Sequence, residues 1–278
     1  MALALGPPLA VDGPLPTAPA YSLLSVAQII DDAADPHWGL GVELNAYPVG
    51  PPRTWDPCST GTFRVKEEGD DLPQPGFPPF VVYLPITCTA SGIDQDTFAD
   101  RVRLAFAAKE SYGVELELSQ APSNDDRPHF GDEALDILGG GAVTPLVGLS
   151  WLEQAIGETA SGGVIHAPPA VTTAWAGAGG VESRSGRLVT TGNNTPVASG
   201  GGYIDADPDS GTTPAAGQSW AFATGPVQIR RTEIILNPPT LREALDRSEN
   251  RVTFRAERAY VAVWDTSLQA GVLIDWTP

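Results

Sequence analysis

Carboxylates are the most abundant side chains in this sequence that could carry out chemistry. The chain of 278 residues contains 34 Asp and Glu residues. Two carboxylates held close together with separated pKa values can act as an acid and a base. Most candidates lie in polar runs with Gly and Ser, and examples are Asp31-Asp32, Asp70-Asp71 and Asp125-Asp126. Because such runs are typical of solvated loops, the sequence predicts no acid–base pair and no enzyme.

The three histidines do not predict a metal site or a nucleophilic site. His166 follows two apolar residues and precedes Ala-Pro-Pro, so we interpret it as a structural, hydrogen-bonded side chain at the end of a strand. His37 and His129 are isolated beside prolines. The sequence has no G-x-S-x-G elbow and no C-x-x-C or H-x-x-x-H spacing. It therefore predicts neither a catalytic nucleophile nor a metal site built from His and Cys.

Two loop patterns could bind a cation or a phosphate. The loop Asp205–Gly217 carries Asp at alternate positions 205, 207 and 209, as a calcium loop does. Pro208 and the lack of a central Gly and a closing Glu argue against calcium. The triplets Gly139–Gly141 and Gly200–Gly202 lack the Lys of a phosphate-binding loop, so we interpret them as hinges or turns. No metal and no cofactor is expected.

The cysteines and the N-terminus favour a reducing compartment. Cys58 and Cys88 are the two cysteines, and a bridge between them would require Cα atoms within about 7 Å. The first residues lack the positive charge of a secretory signal and are interrupted by prolines. We therefore expect two free thiols and a cytoplasmic place of synthesis.

The charge of the chain excludes two classes of partner. The net charge is −18, with 16 Lys and Arg residues against the 34 acids, and no basic run longer than Arg230-Arg231. Binding to nucleic-acid phosphates needs a basic face, which this balance does not supply. No apolar run approaches the roughly 18 residues that span a bilayer, and no polybasic segment suits a membrane surface. Sequence-specific DNA binding and membrane association are not expected.

The elements that position these residues begin with extended segments. The chain contains 27 Pro and 30 Gly, and prolines interrupt residues 1–20, which we expect to form an arm. A helix is predicted over about 22–34. Residues 39–90 have the pattern of a long excursion with a charged tip and a return strand over 80–88. An excursion of this length buries little of itself, so it needs another surface to lie on.

Amphipathic patterns predict helices and strands in the rest of the chain. A helix over about 95–112 places Phe98, Val102 and Phe106 on one face, and the alternation over 114–118 predicts a strand. Further helices are predicted over 145–158, 169–178 and 241–246. Strands are predicted over 164–166, 187–191, 195–198, 219–224, 227–236, 251–263 and 268–276. The alternation of the long strand changes phase near Glu257-Arg258, which predicts a bulge or a bend there.

The order of these parts resembles the coat protein of tailed bacteriophages, whose fold is also used by encapsulin shells. The spine helix of that fold corresponds to Asp94-Gln-Asp-Thr-Phe-Ala-Asp-Arg-Val-Arg-Leu-Ala-Phe-Ala-Ala-Lys-Glu110. The axial lobe contains Gly163-Val-Ile-His-Ala-Pro-Pro-Ala-Val171. The most informative part is Asn250-Arg-Val-Thr-Phe-Arg-Ala-Glu-Arg258, followed by Tyr260-Val-Ala-Val263 and an apolar last strand. The resemblance covers nearly the whole chain.

The resemblance implies an α+β fold in four parts. These are an N-terminal arm over residues 1–38, an extended loop over 39–90, an axial domain over 141–224, and a peripheral domain with the spine helix formed by 91–140 and 225–278. It also implies contacts between subunits at the tip of the extended loop. The residues expected there are Arg64, Lys66, Glu67, Glu68, Asp70 and Asp71.

The resemblance further implies a structural protein that assembles itself into an icosahedral phage head around double-stranded DNA. Its partners would be further copies in pentamers and hexamers, together with portal, scaffold, protease and decoration proteins. It would belong to the virion and assemble in the cytoplasm of a bacterial host. The alternatives are an encapsulin-type nanocompartment and a structural protein of a phage tail or baseplate.

Overall fold

A computed structural model describes residues 14–32, 36–44, 76–89, 95–120, 127–132, 135–159, 162–203 and 213–277. A 3-10 helix covers Pro36–Leu40. The α-helices are α1 (Leu23–Val26), α2 (Gln95–Ala107), α3 (Glu110–Gln120), α4 (Pro145–Thr159), α5 (Pro169–Gly177) and α6 (Leu241–Ala244). Among these described helices, none has the length and apolar character needed to cross a membrane.

The strands form two larger sheets and two small ones. They are β1 (Gln28–Asp31), β2 (Val42–Glu43), β3 (Gly76–Phe77), β4 (Phe80–Thr89), β5 (Asp136–Ile137), β6 (Val164–Ala167), β7 (Val181–Arg184), β8 (Arg187–Thr190), β9 (Val197–Ser199), β10 (Gln218–Thr224), β11 (Gln228–Arg231), β12 (Ile235–Asn237), β13 (Leu245–Asp246), β14 (Arg251–Val263) and β15 (Gln269–Asp275). Strands β2 and β3 pair with each other, as do β7 and β8. The fold class is α+β, as predicted.

A six-stranded sheet is built around the long strand β14. Strand β4 runs antiparallel along one edge of β14, from Thr89 opposite Arg251 to Phe80 opposite Tyr260. Strands β11, β12 and β13 pair in turn along its other edge, and β1 lies parallel to β11. On one face, alternate side chains of β14 pack with Val102 and Phe106 of α2 in a buried core. Helix α2 therefore covers one face of this sheet.

A five-stranded sheet, in the order β5-β15-β10-β6-β9, forms the second core. Leu152 of α4 and Trp175 of α5 pack against its strands and are fully buried. The Trp175 indole N–H donates to the carbonyl of Pro145 at 2.8 Å, which joins α5 to the start of α4. Strand β15 pairs with β10 along its whole length. The last strand of the chain thus lies between β5 and β10, while the domain bounds inferred from the sequence stay a prediction.

Several predicted elements are confirmed. The strands predicted over 80–88, 164–166, 219–224 and 251–263 correspond to β4, β6, β10 and β14, and the helix predicted over 145–158 corresponds to α4. The helix predicted over 22–34 is wrong, because α1 ends at Val26 and residues 28–31 pair with β11. A longer helix here would give up the backbone hydrogen bonds that residues 28–31 form with the free edge of β11, and a short helix is only marginally stable by itself. The chain therefore continues as a strand.

The strand predicted over 114–118 is also wrong, since these residues lie in α3. Val114 and Leu118 are one helical turn apart and are both buried in the core. They satisfy the helical period as well as the strand period, because residues at i and i+4 share one face of a helix. The predicted spine helix therefore continues as two segments, α2 and α3, with a break after Ala107.

The bulge predicted near Glu257-Arg258 is not present in β14. The register between β14 and β4 is continuous from Arg251 to Tyr260. The extra residue lies instead in the connection between β11 and β12, where three steps from Thr232 to Ile235 match two steps of β14 from Ala259 to Glu257. The alternation changes phase because β14 is buried on both faces from Tyr260 onwards.

Candidate assembly surface

The six-stranded sheet has an open side opposite α2, which we call the outer face. Along β4 the exposed side chains alternate with half-buried ones, and Val81 and Tyr83 are 55% and 60% exposed. Ile235 of β12 is 54% exposed. Glu257 of β14 pairs with both Tyr83 and Ile235, so these side chains form a row across three strands. Large apolar side chains clustered on one open sheet face indicate a contact surface.

The outer face also carries positive charge. Arg251 and Arg255 lie at exposed alternate positions of β14. The Arg255 guanidinium stands over the ring of Tyr83 at 5.8 Å, and Arg251 forms an exposed ion pair with Glu249 at 3.1 Å. Exposed ion pairs of this kind contribute little to stability. Asp246 lies opposite Arg251 in the ladder and Glu257 lies two positions after Arg255, so the exposed arginines stand beside carboxylates on this face.

The segment 45–75 is joined to the core through β2 and β3, which precede and follow it in the sequence. Val42 lies opposite Phe77 in this two-residue ladder. Phe77 is 1% exposed and packs edge-on against Trp264, with ring centroids 5.0 Å apart. Phe80, at the start of β4, stacks on Tyr260 at 5.5 Å. The chain thus returns from this segment at a place set by buried aromatic packing.

A buried carboxylate links α3 to the strands beneath it. Glu110, the first residue of α3, is 7% exposed. Its Oε2 accepts from Arg258 at 2.7 Å and from the Tyr260 hydroxyl at 2.6 Å, and its Oε1 accepts from Arg231 at 3.1 Å. Arg231 also donates to Asp31 at 2.7 Å, and that bond lowers the pKa of the Asp31 carboxyl. The network joins four separate elements of the sheet and its helix.

A second buried carboxylate, Glu115, holds three segments together. It is 1% exposed and accepts from the backbone N–H of Leu23 at 3.0 Å and of Gly202 at 3.1 Å. Burial raises the pKa of Glu115, and the two N–H donors act in the opposite direction. Gly202 is required by this packing, because a Cβ at that position would lie 2.2 Å from the carbonyl oxygen of Tyr112. Glu115 therefore connects α1, α3 and the turn after β9.

His166 is confirmed as a structural side chain. It is fully buried in β6, with Nδ1 3.1 Å from the Tyr203 hydroxyl and Nε2 2.9 Å from Thr224 Oγ1. Since Thr224 Oγ1 donates to the carbonyl of Gly225, it accepts from Nε2–H, and Nδ1 accepts from Tyr203. Burial lowers the pKa of His166 to about 3. The imidazole is neutral and fully hydrogen-bonded, as the sequence interpretation requires.

The residues predicted at the loop tip lie outside the described residues. They are Arg64, Lys66, Glu67, Glu68, Asp70 and Asp71. The same holds for Cys58 and for the aspartates at positions 205, 207 and 209, while Cys88 is a free thiol on β4. Within the part of the chain that the structure describes, no group of three or more His, Cys, Asp or Glu side chains is arranged around a possible metal.

Sequence reasoning missed the buried charges Glu110, Glu115, Glu117 and Arg127. Glu115 and Glu117 alternate with apolar residues in the predicted strand over 114–118, which favours an exposed side for them. Glu110 falls on the polar face of the helix predicted over 95–112, and Arg127 lies in a polar loop. One signal was present: Val114 and Leu118 are spaced for one helix face, and Glu110 lies four positions before Val114 on that same face. Their partners lie far along the chain, so local patterns do not reveal the pairing.

Comparison with known proteins rests on structure alone. No protein-family model matches the chain, and no curated protein matches its sequence. The capsid of an empty GTA particle superposes with a TM-score of 0.52 and 14% identity, covering 99% of this chain and 96% of that one. The SrpI encapsulin complex from Synechococcus elongatus PCC 7942 gives 0.51 and 12%, with 97% and 92% covered. A structure of Mycobacterium phage Bobi gives 0.51 and 11%, with 99% and 96% covered.

These likenesses extend over nearly the full length of each pair of chains. A shared arrangement of so many elements at such low identity reflects a common fold and not a common local sequence. The chain therefore has the coat-protein fold of tailed bacteriophages and encapsulins.

Proposed function

We propose that this chain is a structural subunit, not an enzyme, and that its copies assemble into a closed icosahedral phage head around double-stranded DNA. The observation that supports this most is the likeness of fold, over nearly the whole chain, to the capsid of a GTA particle. The open outer face, with its apolar and arginine side chains, supports association with further copies. Copies would form pentamers and hexamers, with portal, scaffold, protease and decoration proteins as further partners.

The proposed contact places the tip of the extended loop on the outer face of a neighbouring copy. The tip carries four carboxylates within five residues, at Glu67, Glu68, Asp70 and Asp71, together with Arg64 and Lys66. The outer face offers Arg251 and Arg255 around an apolar row. Opposite charges at this contact would steer association and fix its register.

The net charge of −18 fits a container for DNA. A shell wall of the same sign as DNA does not bind the phosphates tightly, since few counterions are released on contact. The enclosed DNA would therefore be held by the closed wall without sequence-specific binding. On this proposal the protein is part of the virion and assembles in the host cytoplasm.

An encapsulin-type nanocompartment is the second candidate, because the fold is also similar to an encapsulin complex. The contents of purified particles distinguish the two functions. Nucleic acid that resists added nuclease supports a phage head, whereas a packaged protein supports a nanocompartment. Rings or tubes in place of closed shells, seen by electron microscopy, would instead favour a tail or baseplate protein.

A charge-exchange experiment tests the loop contact. We expect closed particles from the natural chain, and few or none when Glu67, Glu68, Asp70 and Asp71 are replaced by Lys. The variant R251E/R255E should fail in the same way, and the combination of both sets should restore particles. Arg187→Glu, on the exposed end of β8, is the matched control and should assemble normally.

Two results would overturn these proposals separately. Failure of the natural chain to form closed particles under any assembly condition contradicts the shell function. Normal particles from the loop-tip variant contradict the loop contact and leave the shell function standing.

A further inference from the structure

Two consecutive prolines separate β3 from β4 at the point where the chain returns from the segment 45–75. Neither Pro78 nor Pro79 has a backbone N–H, so this turn cannot be held by a ladder of its own. Both residues are half-buried, and each carbonyl needs a donor. The guanidinium of Arg127 supplies both: Nη1 donates to the Pro78 carbonyl and Nη2 donates to the Pro79 carbonyl at 2.7 Å.

The rest of the Arg127 side chain is enclosed. It is 4% exposed, its Nε lies 3.2 Å from Oε1 of Glu117 on α3, and its guanidinium carbon lies 4.7 Å from the centre of the Phe80 ring. Glu117 is itself buried, at 6% exposure. A planar fork that spans two adjacent carbonyls, pairs with a carboxylate and packs on an aromatic ring requires arginine, because lysine offers a single point charge.

Among the described residues, the other contacts beside this turn fix the place where the chain returns and not the direction of the turn. The ladder between β2 and β3 contains two residue pairs, and a ladder of that size is not stable by itself. Phe77 anchors one residue in the core. The backbone direction after Phe77 then depends on the two prolines and on the donors to their carbonyls. Arg127 connects both proline carbonyls to α3, so the orientation of the turn follows from that helix.

We infer that Arg127 is a positioning residue for assembly, which sets the direction in which the segment 45–75 leaves the subunit and so lets it reach a neighbouring copy. The inference rests on the proposed function. It concerns a residue that contributes to the contact without touching the neighbour. Glu117 takes part by holding the guanidinium in place.

The double variant E117Q/R127M tests this role. Removing Arg127 alone would take its ion-pair partner away from the buried carboxylate of Glu117 and could unfold the chain, whereas the double variant removes both charges at similar volume. We expect a folded subunit that needs about a tenfold higher concentration to form particles, since a tenfold change corresponds to about 1.4 kcal/mol, the scale of one hydrogen bond. Hydrogen exchange should become faster at Val42 and Phe77 and stay unchanged in β14.

A matched control separates positioning from stability. Leu152→Ala creates a cavity in the other core, far from this turn along the chain. If its decrease in Tm equals that of E117Q/R127M, it should still assemble at the concentration that the natural chain needs. Arg127→Lys keeps the charge beside Glu117 but spans a single carbonyl, and it should show the same defect to a smaller degree.

Three results would overturn the inference. They are assembly of E117Q/R127M at the natural concentration, an equal assembly defect in the Leu152→Ala control, and natural assembly of Arg127→Lys if the double variant does not fold. All three are scored against the natural chain. Absence of particles from that chain contradicts the proposed function itself, so the two failures are distinguishable.

Discussion

The buried carboxylate Glu110 allows a stability prediction that follows directly from the geometry. In Glu110→Gln the side chain keeps its shape but loses its charge. Oε2 of Glu110 accepts from Arg258 at 2.7 Å and from Tyr260 at 2.6 Å, while Oε1 accepts from Arg231. A glutamine amide has one acceptor oxygen, and its nitrogen is a donor, so the amide cannot accept hydrogen bonds from all three groups. Arg231 retains Asp31 at 2.7 Å, so the loss falls mainly on Arg258 and Tyr260.

The size of the effect follows from burial. Removing one partner of a buried ion pair costs about 3–5 kcal/mol. The Arg258 and Arg231 side chains are 13% and 19% exposed, which places Glu110→Gln at the lower end, at about 3 kcal/mol. For a chain of this size, that loss corresponds to a decrease in Tm of about 8 °C.

Urea unfolding followed by circular dichroism measures this free energy. Asp100→Asn is the control, because the Asp100–Arg103 pair is exposed at 71% and 47% and should contribute less than about 0.5 kcal/mol. The variant E110Q/R258M should recover part of the loss, since it removes the unpaired cation. A loss below about 1 kcal/mol for Glu110→Gln, or no recovery in the double variant, would refute the reasoning that burial sets the cost.

Two further predictions concern pH and close packing. Because His166 has a pKa of about 3 in the fold and 6.5 unfolded, the unfolded chain takes up the proton first as pH falls. Between pH 6.5 and 5, the free energy of unfolding should therefore decrease by about 2 kcal/mol more in the natural chain than in His166→Gln. Urea unfolding at the two pH values measures both decreases, and equal decreases would contradict the prediction. Gly202→Ala should lose about 2 kcal/mol, because its Cβ would lie 2.2 Å from the Tyr112 carbonyl oxygen. Gly201→Ala, whose Cβ would meet its nearest atom at 3.7 Å, should change Tm little, and equal losses would show that the close approach is relaxed.

Strong local periodicity explains which elements were predicted correctly. The strand over 251–263 and the helix over 145–158 are long and patterned, and they lie where the sequence places them. The predicted helix over 22–34 and strand over 114–118 are wrong because short apolar spacings fit both periods. In each case a tertiary partner determined the secondary structure. Pairing with β11 makes residues 28–31 a strand, and packing in the core beneath α3 makes residues 114–118 a helix.

The sequence by itself indicated a mixture of helices and strands and the absence of a recognisable catalytic motif, because these follow from side-chain periodicity, Pro and Gly positions and charge, which are properties of neighbouring residues. The α+β coat-protein fold was implied by the resemblance of the sequence to a known family, and the likeness of the folded chain to solved structures supports it. Only the tertiary structure decided which charges are buried. Glu110 meets Arg258 across 148 positions, and Arg127 meets the Pro79 carbonyl across 48. A buried charge is tolerated only where distant donors complete its shell, so its role becomes visible when the chain is folded.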